Sequence, residues 1–534
     1  MLSKFHRFIG ASAIVATLVS SLVGIDAHAK PLRMANQGDV VSLDPHSLNE
    51  SFQLSFLSNV FDPLVTFSKT MGVAPGLASE WKQTNPTTWR FTLRRNVTFH
   101  DGTPFGADDV VFSFKRGNAE GSDLRSAISN IAEVKKVDDY AVDIVTKTPY
   151  PILPETLRTF LIMSKKWCEA NGATDPVDVR KGKENAATLK VNGTGAFMLR
   201  SRAPGSKTEI NANPKYWDKV EGNVSEVIFT PIGNDATRVA ALVSGEIDMM
   251  DPVPLQDIAR IEANRNLKVM RGPELRTIFL GMDQKRDELL FSSVKGQNPF
   301  KDRRVRQAFY QAIDIEAIKE KIMREASTPT GLMVAPGVKG YPGQHLNARV
   351  PHDVVGAKRR LTEAGYPNGF EVTMNCPNDR YVNDAEICQA VAAMLAKIDI
   401  KVNLVAESKA TYFPKILARN TSFYLLGWTP STVDAHDPLS ALMATPPADG
   451  KGGQGQFNLG WYSNPKLDEL TQKIASEIDQ NKRNNMIADA YRIHQEDIGH
   501  IPLHQQALAW GMKKTVDMVQ LPVNYFYHKW TVIR

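Results

Sequence analysis

The chain is 534 residues long, 42% hydrophobic and 23% charged, the balance of an ordinary globular protein with room for two or three sizeable cores. Its formal charge of +6 is mild for that length, and its lysines and arginines are scattered among acids, which argues against a nucleic-acid groove and a polybasic membrane patch. After the N-terminal segment no stretch approaches the roughly eighteen continuous apolar residues of a membrane span.

At the start of the chain, Lys4 and Arg7 precede an apolar run from Phe8 to Val23, and Ala27-His28-Ala29 supplies a small-x-small cleavage signal. That is the pattern of a secretory signal peptide over residues 1–29, with cleavage expected after Ala29. Losing Lys4, Arg7 and Asp26 takes the formal charge from +6 to +5. No cysteine stands at the cleavage point to carry a lipid, so the mature protein is expected free in the periplasm of a two-membrane bacterium. Cys168, Cys376 and Cys388 leave two readings in that oxidising compartment. Either Cys376 and Cys388 pair locally and Cys168 is free, or all three are buried thiols.

The first strand signal is "LRMAN". Trp89, Phe91 and Leu93 alternate, as do Val97 and Phe99, with a kink expected near Arg95-Asn96. Asp101-Gly102 marks a turn, and "GADDVVFSFKR" opens a helix with Asp108 and Asp109 in its first turn, where the helix dipole favours acids. His100 beside Asp101 is read as a hydrogen-bonding strut, because no further ligand accompanies the pair. "DATRVAALVSGEIDMM" reads as a helix capped by Asp235 and stopped by Gly245, leading into a strand. In "DRRVRQAFYQAIDI" the residues Val305, Ala308, Phe309, Ala312 and Ile313 form one helical face behind an Asp302 cap. "GAKRRLTEAGYPNGFEVTMN" gives a helix ending at Gly365 and a strand through Phe370, Val372 and Met374. Ile387, Val391, Met394, Leu395 and Ile398 make another helix stripe, and Ile398, Ile400, Val402 and Leu404 then alternate as a strand. "TPPADGKGGQGQ", Thr445 to Gln456, reads as a flexible surface loop. Helix and strand alternation along the whole chain predicts an α/β fold.

In open α/β sheets, ligands bind beyond the carboxyl ends of strands and at domain interfaces. Two loops qualify: "NCPNDRYVND" after the Phe370 strand, and "GWTPSTVDAHDP" after "SFYLL". They supply Arg380, a planar fork suited to a carboxylate, Tyr381 and Trp428 to cover apolar groups, and Ser431, Asp434 and His436. Asn36, Ser42, Leu43 and Asp44, after the first strand, are expected on the opposite wall.

The ordered strings "PGLASEW", "WRFTLRRNVTFHDGTPFGADDVVFSFKR", "GTGAF", "NPKYW", "ALVSGEID", "FKDRRVRQAFYQAID", "LTEAGYPNGF" and "LGW" are similar to those of the dipeptide/oligopeptide-binding proteins of bacterial ABC importers, solute-binding family 5. The resemblance covers the mature chain. It implies a bilobal clamshell, the type II periplasmic-binding-protein fold with an enlarged first lobe: residues 30–272 in lobe I, 273–505 in lobe II, and 506–534 returning to lobe I. Crossings are expected near Gly272 and Gln505, in "ELRTIFLGMD" and "HQQALAWGM". It further implies a monomeric, non-enzymatic receptor, without cofactor or metal, that binds di- or oligopeptides or a peptide-like solute and delivers it to the permease. Arg380 falls where the family binds the peptide carboxylate. Three residues after the tryptophan of "GW", where relatives carry an ammonium-binding aspartate, this chain has Ser431; Asp434, three residues further on, either substitutes for that aspartate or caps a turn or the following helix.

Competing readings are a nickel complex, opine, sugar or cell-wall fragment as solute, and, from another class, a periplasmic chaperone or a hydrolase. Against catalysis, the chain has no G-x-S-x-G, H-E-x-x-H, phosphate loop or Cys-x-x-Cys. His494, His500 and His504 have no recognisable ligand spacing.

Overall fold

Strands rich in residues that are apolar on both faces need cover on both sides, and here they form one long mixed sheet. In the computed structural model, which describes residues 30–450 and 453–534, that sheet runs Ile400–Glu407, Phe370–Pro377, Phe423–Trp428, Leu267–Met282, Ile501–Lys513, Met249–Asp251, Lys30–Asn36, Val224–Pro231, Lys207–Ala212, Phe197–Ala203. The signal-peptide segment expected over 1–29 lies outside the described residues. No helix among the described residues is long and apolar enough to cross a membrane.

The two central strands are the longest, at 16 and 13 residues, and each belongs to both halves of the sheet. Residues 267–273 pair antiparallel with 513–507, and 277–280 pair with 505–501. Between these ladders Glu274, Leu275 and Arg276 stand opposite Gln506 alone, a bulge that breaks the register. Bulges bend a strand and re-aim its side chains. One core surrounds Ile278, Phe300, Phe309, Val391 and Phe423, and another surrounds Leu32, Phe229, Met249 and Trp510. A separate antiparallel sheet, Ala78–Asn85, Thr88–Leu93, Ala141–Thr146, Ile131–Asp138, adds bulk to the first half.

Local sequence chemistry accounts for the element ends. Asp302 accepts the Arg304 N–H and starts the helix Arg303–Ala312. Gly365, at φ 93°, ends the turn after Val354–Glu363. The helix Asp235–Ser244 is capped one residue earlier than expected: Asn234 is extended and its side chain accepts the Thr237 N–H, which leaves Asp235 as the first helical residue. His100 is a strut, its Nδ1 accepting the Gly193 N–H at 3.3 Å and its Nε2 lying 3.1 Å from the Gly195 carbonyl. Asp109 accepts the Gly106 N–H at the head of Ala107–Gly117.

Cys376 and Cys388 form a disulfide with Cα atoms 6.6 Å apart, tying the strand Phe370–Pro377 to the helix Asp384–Ala396 that leads to its neighbour. Cys168 is a buried free thiol. The segment expected as a surface loop, 445–456, ends in the interior. Gln456 is buried and donates to the Asp123 carbonyl and carboxylate at 2.9 and 2.8 Å, because it is the partner that satisfies Asp123 across the gap between the two halves.

Candidate functional site

Two adjoining cavities, about 790 and 480 Å³ of empty space, lie where the halves of the sheet face each other, and Ser51, Arg276 and Arg380 line both. Phe67 and Tyr525 form one wall of the larger cavity, and Tyr381, Trp428 and Phe457 form the other. Among the described residues the lining contains guanidinium, ammonium, carboxylate and aromatic groups and no histidine or cysteine.

The charged centre is built from three elements. Glu50 heads the helix Ser51–Leu57, its carboxylate accepting the Phe52 and Gln53 N–H groups at 3.0 and 2.9 Å. Its Oε1 lies 2.8 Å from Arg380 Nε, and its Oε2 lies 3.6 Å from Lys409 Nζ, with all three side chains at most 9% exposed. Burial alone would raise the Glu50 carboxyl, but Arg380, Lys409 and the two N–H groups outweigh it and hold the group at about 2. Arg380 sits in a loop pinned by Asp384, which accepts the N–H groups of Arg380 and Tyr381, both at 2.9 Å. Its guanidinium lies 5.0 Å from the Tyr381 ring centroid.

In the second loop Asp437 positions two wall residues, accepting from Trp428 Nε1 at 2.7 Å and from Ser431 Oγ at 3.1 Å. Trp428 packs on Phe457 with ring centroids 4.9 Å apart. At the smaller cavity Asn36 donates to the Asp251 carbonyl and carboxylate at 2.8 and 3.1 Å. Asp251 is pushed up to about 7, first by burial and then by neighbouring Glu274.

Arg380, Tyr381, Trp428, Ser431 and Asn36 therefore share one cleft. The remaining candidates stand elsewhere, as parts of the packing. Asp44 is fully buried against Arg116 at 2.6 Å, Ser42 accepts the Asp44 N–H at 3.1 Å, and Leu43 is core. Asp434 accepts from both terminal nitrogens of Arg483, at 2.9 and 2.7 Å, and caps the His436 N–H. The His436 ring lies 3.1 Å from the Thr471 carbonyl. A carboxylate buried that deeply requires a cation and hydrogen bonds of its own, and those partners draw it away from the cavity. His494 and His500 are a buried hydrogen-bonded pair, 2.9 Å apart, and no metal-holding group of three or more His, Cys, Asp or Glu occurs among the described residues.

Sequence reasoning missed Glu50, Lys409, Glu274, Arg276 and Asp437. One signal was present: Glu274 and Arg276 share a strand face with apolar Ile278 and Leu280, and charge on such a face requires a reason. Glu50 and Lys409 show no pattern, since each becomes notable only beside Arg380.

Two bodies of an α/β sheet joined by paired strands, with a charged and aromatic cleft between them, define a bilobal solute receptor. The sequence pattern of the bacterial extracellular solute-binding proteins, family 5 middle, matches residues 72–449. The chain belongs to that family, the solute-binding proteins of ABC importers. The glutathione-binding protein GsiB of Salmonella choleraesuis is 24% identical over 523 residues, covering 96% of this chain and 95% of that protein. The ABC transporter-associated periplasmic binding protein DppA from Helicobacter pylori, in complex with the peptide STSA, superposes with a TM-score of 0.83 at 23% identity, covering 94% of this chain and 98% of that one. The binding protein AgaA from A. tumefaciens R10, in complex with agropinic acid, gives a TM-score of 0.82 at 22% identity, covering 95% and 99%. The fold is thus the α/β clamshell of these proteins.

Proposed function

We propose that this protein is a periplasmic receptor that closes two lobes on a peptide-like zwitterion and passes it, chemically unaltered, to an ABC permease. The observation that carries the reading is the cleft itself, where buried charges of both signs stand among aromatic walls. Arg380 receives a carboxylate, Trp428 and Tyr381 cover the solute's apolar parts, Ser431 offers a neutral polar group, and Asn36 closes the inner end. The lobes comprise residues 30–272 and 506–534 on one side and 273–505 on the other, and the bulge at 274–276 is the hinge. The chain acts as a monomer after cleavage behind Ala29. A dissociation constant near 1 μM needs about 8 kcal/mol net, within reach of a few charge-assisted bonds plus enclosure.

Ser431 in place of an aspartate favours a second reading within the same class. A non-peptide solute, such as the agropinic acid in complex with AgaA, then replaces a peptide.

Calorimetry on the mature chain with Met-Leu, glutathione and agropinic acid, accompanied by small-angle scattering, tests both readings. At least one solute should bind with compaction and be recovered intact, and Arg380→Ala should weaken it more than tenfold. Absence of binding across the panel, or turnover of a bound solute, sinks the receptor reading.

A further inference from the structure

The arginines of the interior differ in which nitrogens donate; Arg419, 7% exposed, bonds both terminal nitrogens and leaves only Nε without a partner among the described residues. Arg116, Arg238, Arg306 and Arg483 are each 7% exposed or less, and each uses Nε and both terminal nitrogens as hydrogen-bond donors. Arg276 is 2% exposed, yet its one hydrogen bond among the described residues runs from Nε to Glu274 Oε1, at 2.7 Å. Nη1 and Nη2 donate to nothing there, and the residue lines both cavities. Arg380 goes further: its Nε is in ion-pair range of Glu50 at 2.8 Å but not aligned as a hydrogen bond, and its terminal nitrogens donate to no acceptor among the described residues. None of these terminal nitrogens is among the fully enclosed atoms left without a partner, so they face the open space of the cavities. A free guanidinium fork in a cavity wall is the shape that binds a carboxylate through two parallel bonds.

The fold puts Arg276 there deliberately. It occupies the bulge in which three residues of one central strand oppose one of the other, so its side chain leaves the ladder and enters the cleft. Both guanidiniums lie beside the same ring, 5.6 Å from the Tyr381 centroid for Arg276 and 5.0 Å for Arg380. The neighbouring acids do not occupy the forks. Glu50 is engaged by Arg380 Nε and Lys409, Glu274 by Arg276 Nε and Gln506, Asp379 by the Lys409 N–H and Asp251 by Asn36 and Asn524.

We infer that Arg276 is a second carboxylate-recognition residue of this cleft, so that the receptor selects solutes carrying two carboxylates, one for Arg380 and one for Arg276. The inference rests on the receptor reading above. It also links selectivity to closure. Gln506 donates to Glu274 at 2.8 Å and accepts the Val382 N–H at 3.1 Å, joining the bulge to the loop that carries Arg380. A carboxylate on Arg276 therefore contacts the hinge strand itself.

The test is calorimetry of the mature chain with the matched probes Ala-Glu and Ala-Gln, which differ by one carboxylate. Ala-Glu should bind at least tenfold tighter. Because Arg276→Gln alone strands Glu274, the variants are Glu274→Gln/Arg276→Gln and Arg276→Lys. The double variant should bind Ala-Glu no better than Ala-Gln, and the lysine variant should keep part of the preference. Equal binding of the two probes by the unaltered protein, equal losses of both in the double variant, or binding of neither probe overturns the inference. The receptor reading survives those outcomes as long as one solute of the earlier panel binds, and it falls separately if none does.

Discussion

Asp434→Ala should cost stability and leave solute affinity alone. The carboxylate is 1% exposed and takes both terminal nitrogens of Arg483, which is 3% exposed, while Arg483 Nε donates to the Ile474 carbonyl at 3.1 Å. Removing the acid leaves a buried guanidinium without a counter-charge, at a cost of about 3–5 kcal/mol. The lost bond to the His436 N–H, 2.9 Å long, adds about 1 kcal/mol. The expected loss is therefore roughly 4–6 kcal/mol, read as a lower urea midpoint at unchanged slope. Asp434→Leu with Arg483→Met removes both charges and should recover most of that loss, because an apolar pair of similar volume is commonly as stable as the ion pair it replaces. Solute titrations of the folded variants should agree with the unaltered protein within a factor of two. An unchanged midpoint with lost affinity, above all for solutes with a free ammonium, would refute the assignment and return Asp434 to the ligand.

Reducing the Cys376–Cys388 bond, which spans 12 residues, should destabilise the protein by about 3 kcal/mol through loop-closure entropy, and Cys376→Ser/Cys388→Ser should show the same fall in urea midpoint. Burial holds His46, His436 and His528 down at about 4 and His494 and His504 at about 3. The unfolded chain takes up these protons first, so stability should be full above about pH 6.5 and fall progressively below it, by about 1.4 kcal/mol per histidine for each pH unit. A flat unfolding free energy between pH 6.5 and about 4.5 would contradict that burial. Asp251 has the opposite sign: with its carboxyl raised to about 7, the folded state holds the extra proton, and stability declines as pH rises from about 4 to 7. Asp251→Asn should therefore gain on the unaltered protein across that window and track it above, whereas a pH-independent difference would show that the group is not raised.

Much of the fold was legible because it is local. Helix stripes such as Val305 to Ile313, the stop at Gly365, and the alternation through Ile400 depend on residues within a few positions of one another. The loops holding Arg380, Tyr381, Trp428 and Ser431 followed from the same reading, since they come after strands. Asp434 shows where local reading ends. In sequence it is an acid in a ligand-bearing loop, and nothing nearby announces that Arg483, 49 residues on, will claim it.

The sequence alone determined the family, the alternation of elements, the strand-end loops and the replacement of an aspartate by Ser431. Only the tertiary structure decided which charges are spent and which are free, because a buried charge is governed by whatever is brought beside it across hundreds of residues. Asp44 and Asp434 met arginines and became struts, Glu50 met Arg380 and Lys409 across the cleft, and the Arg276 fork met no acceptor among the described residues.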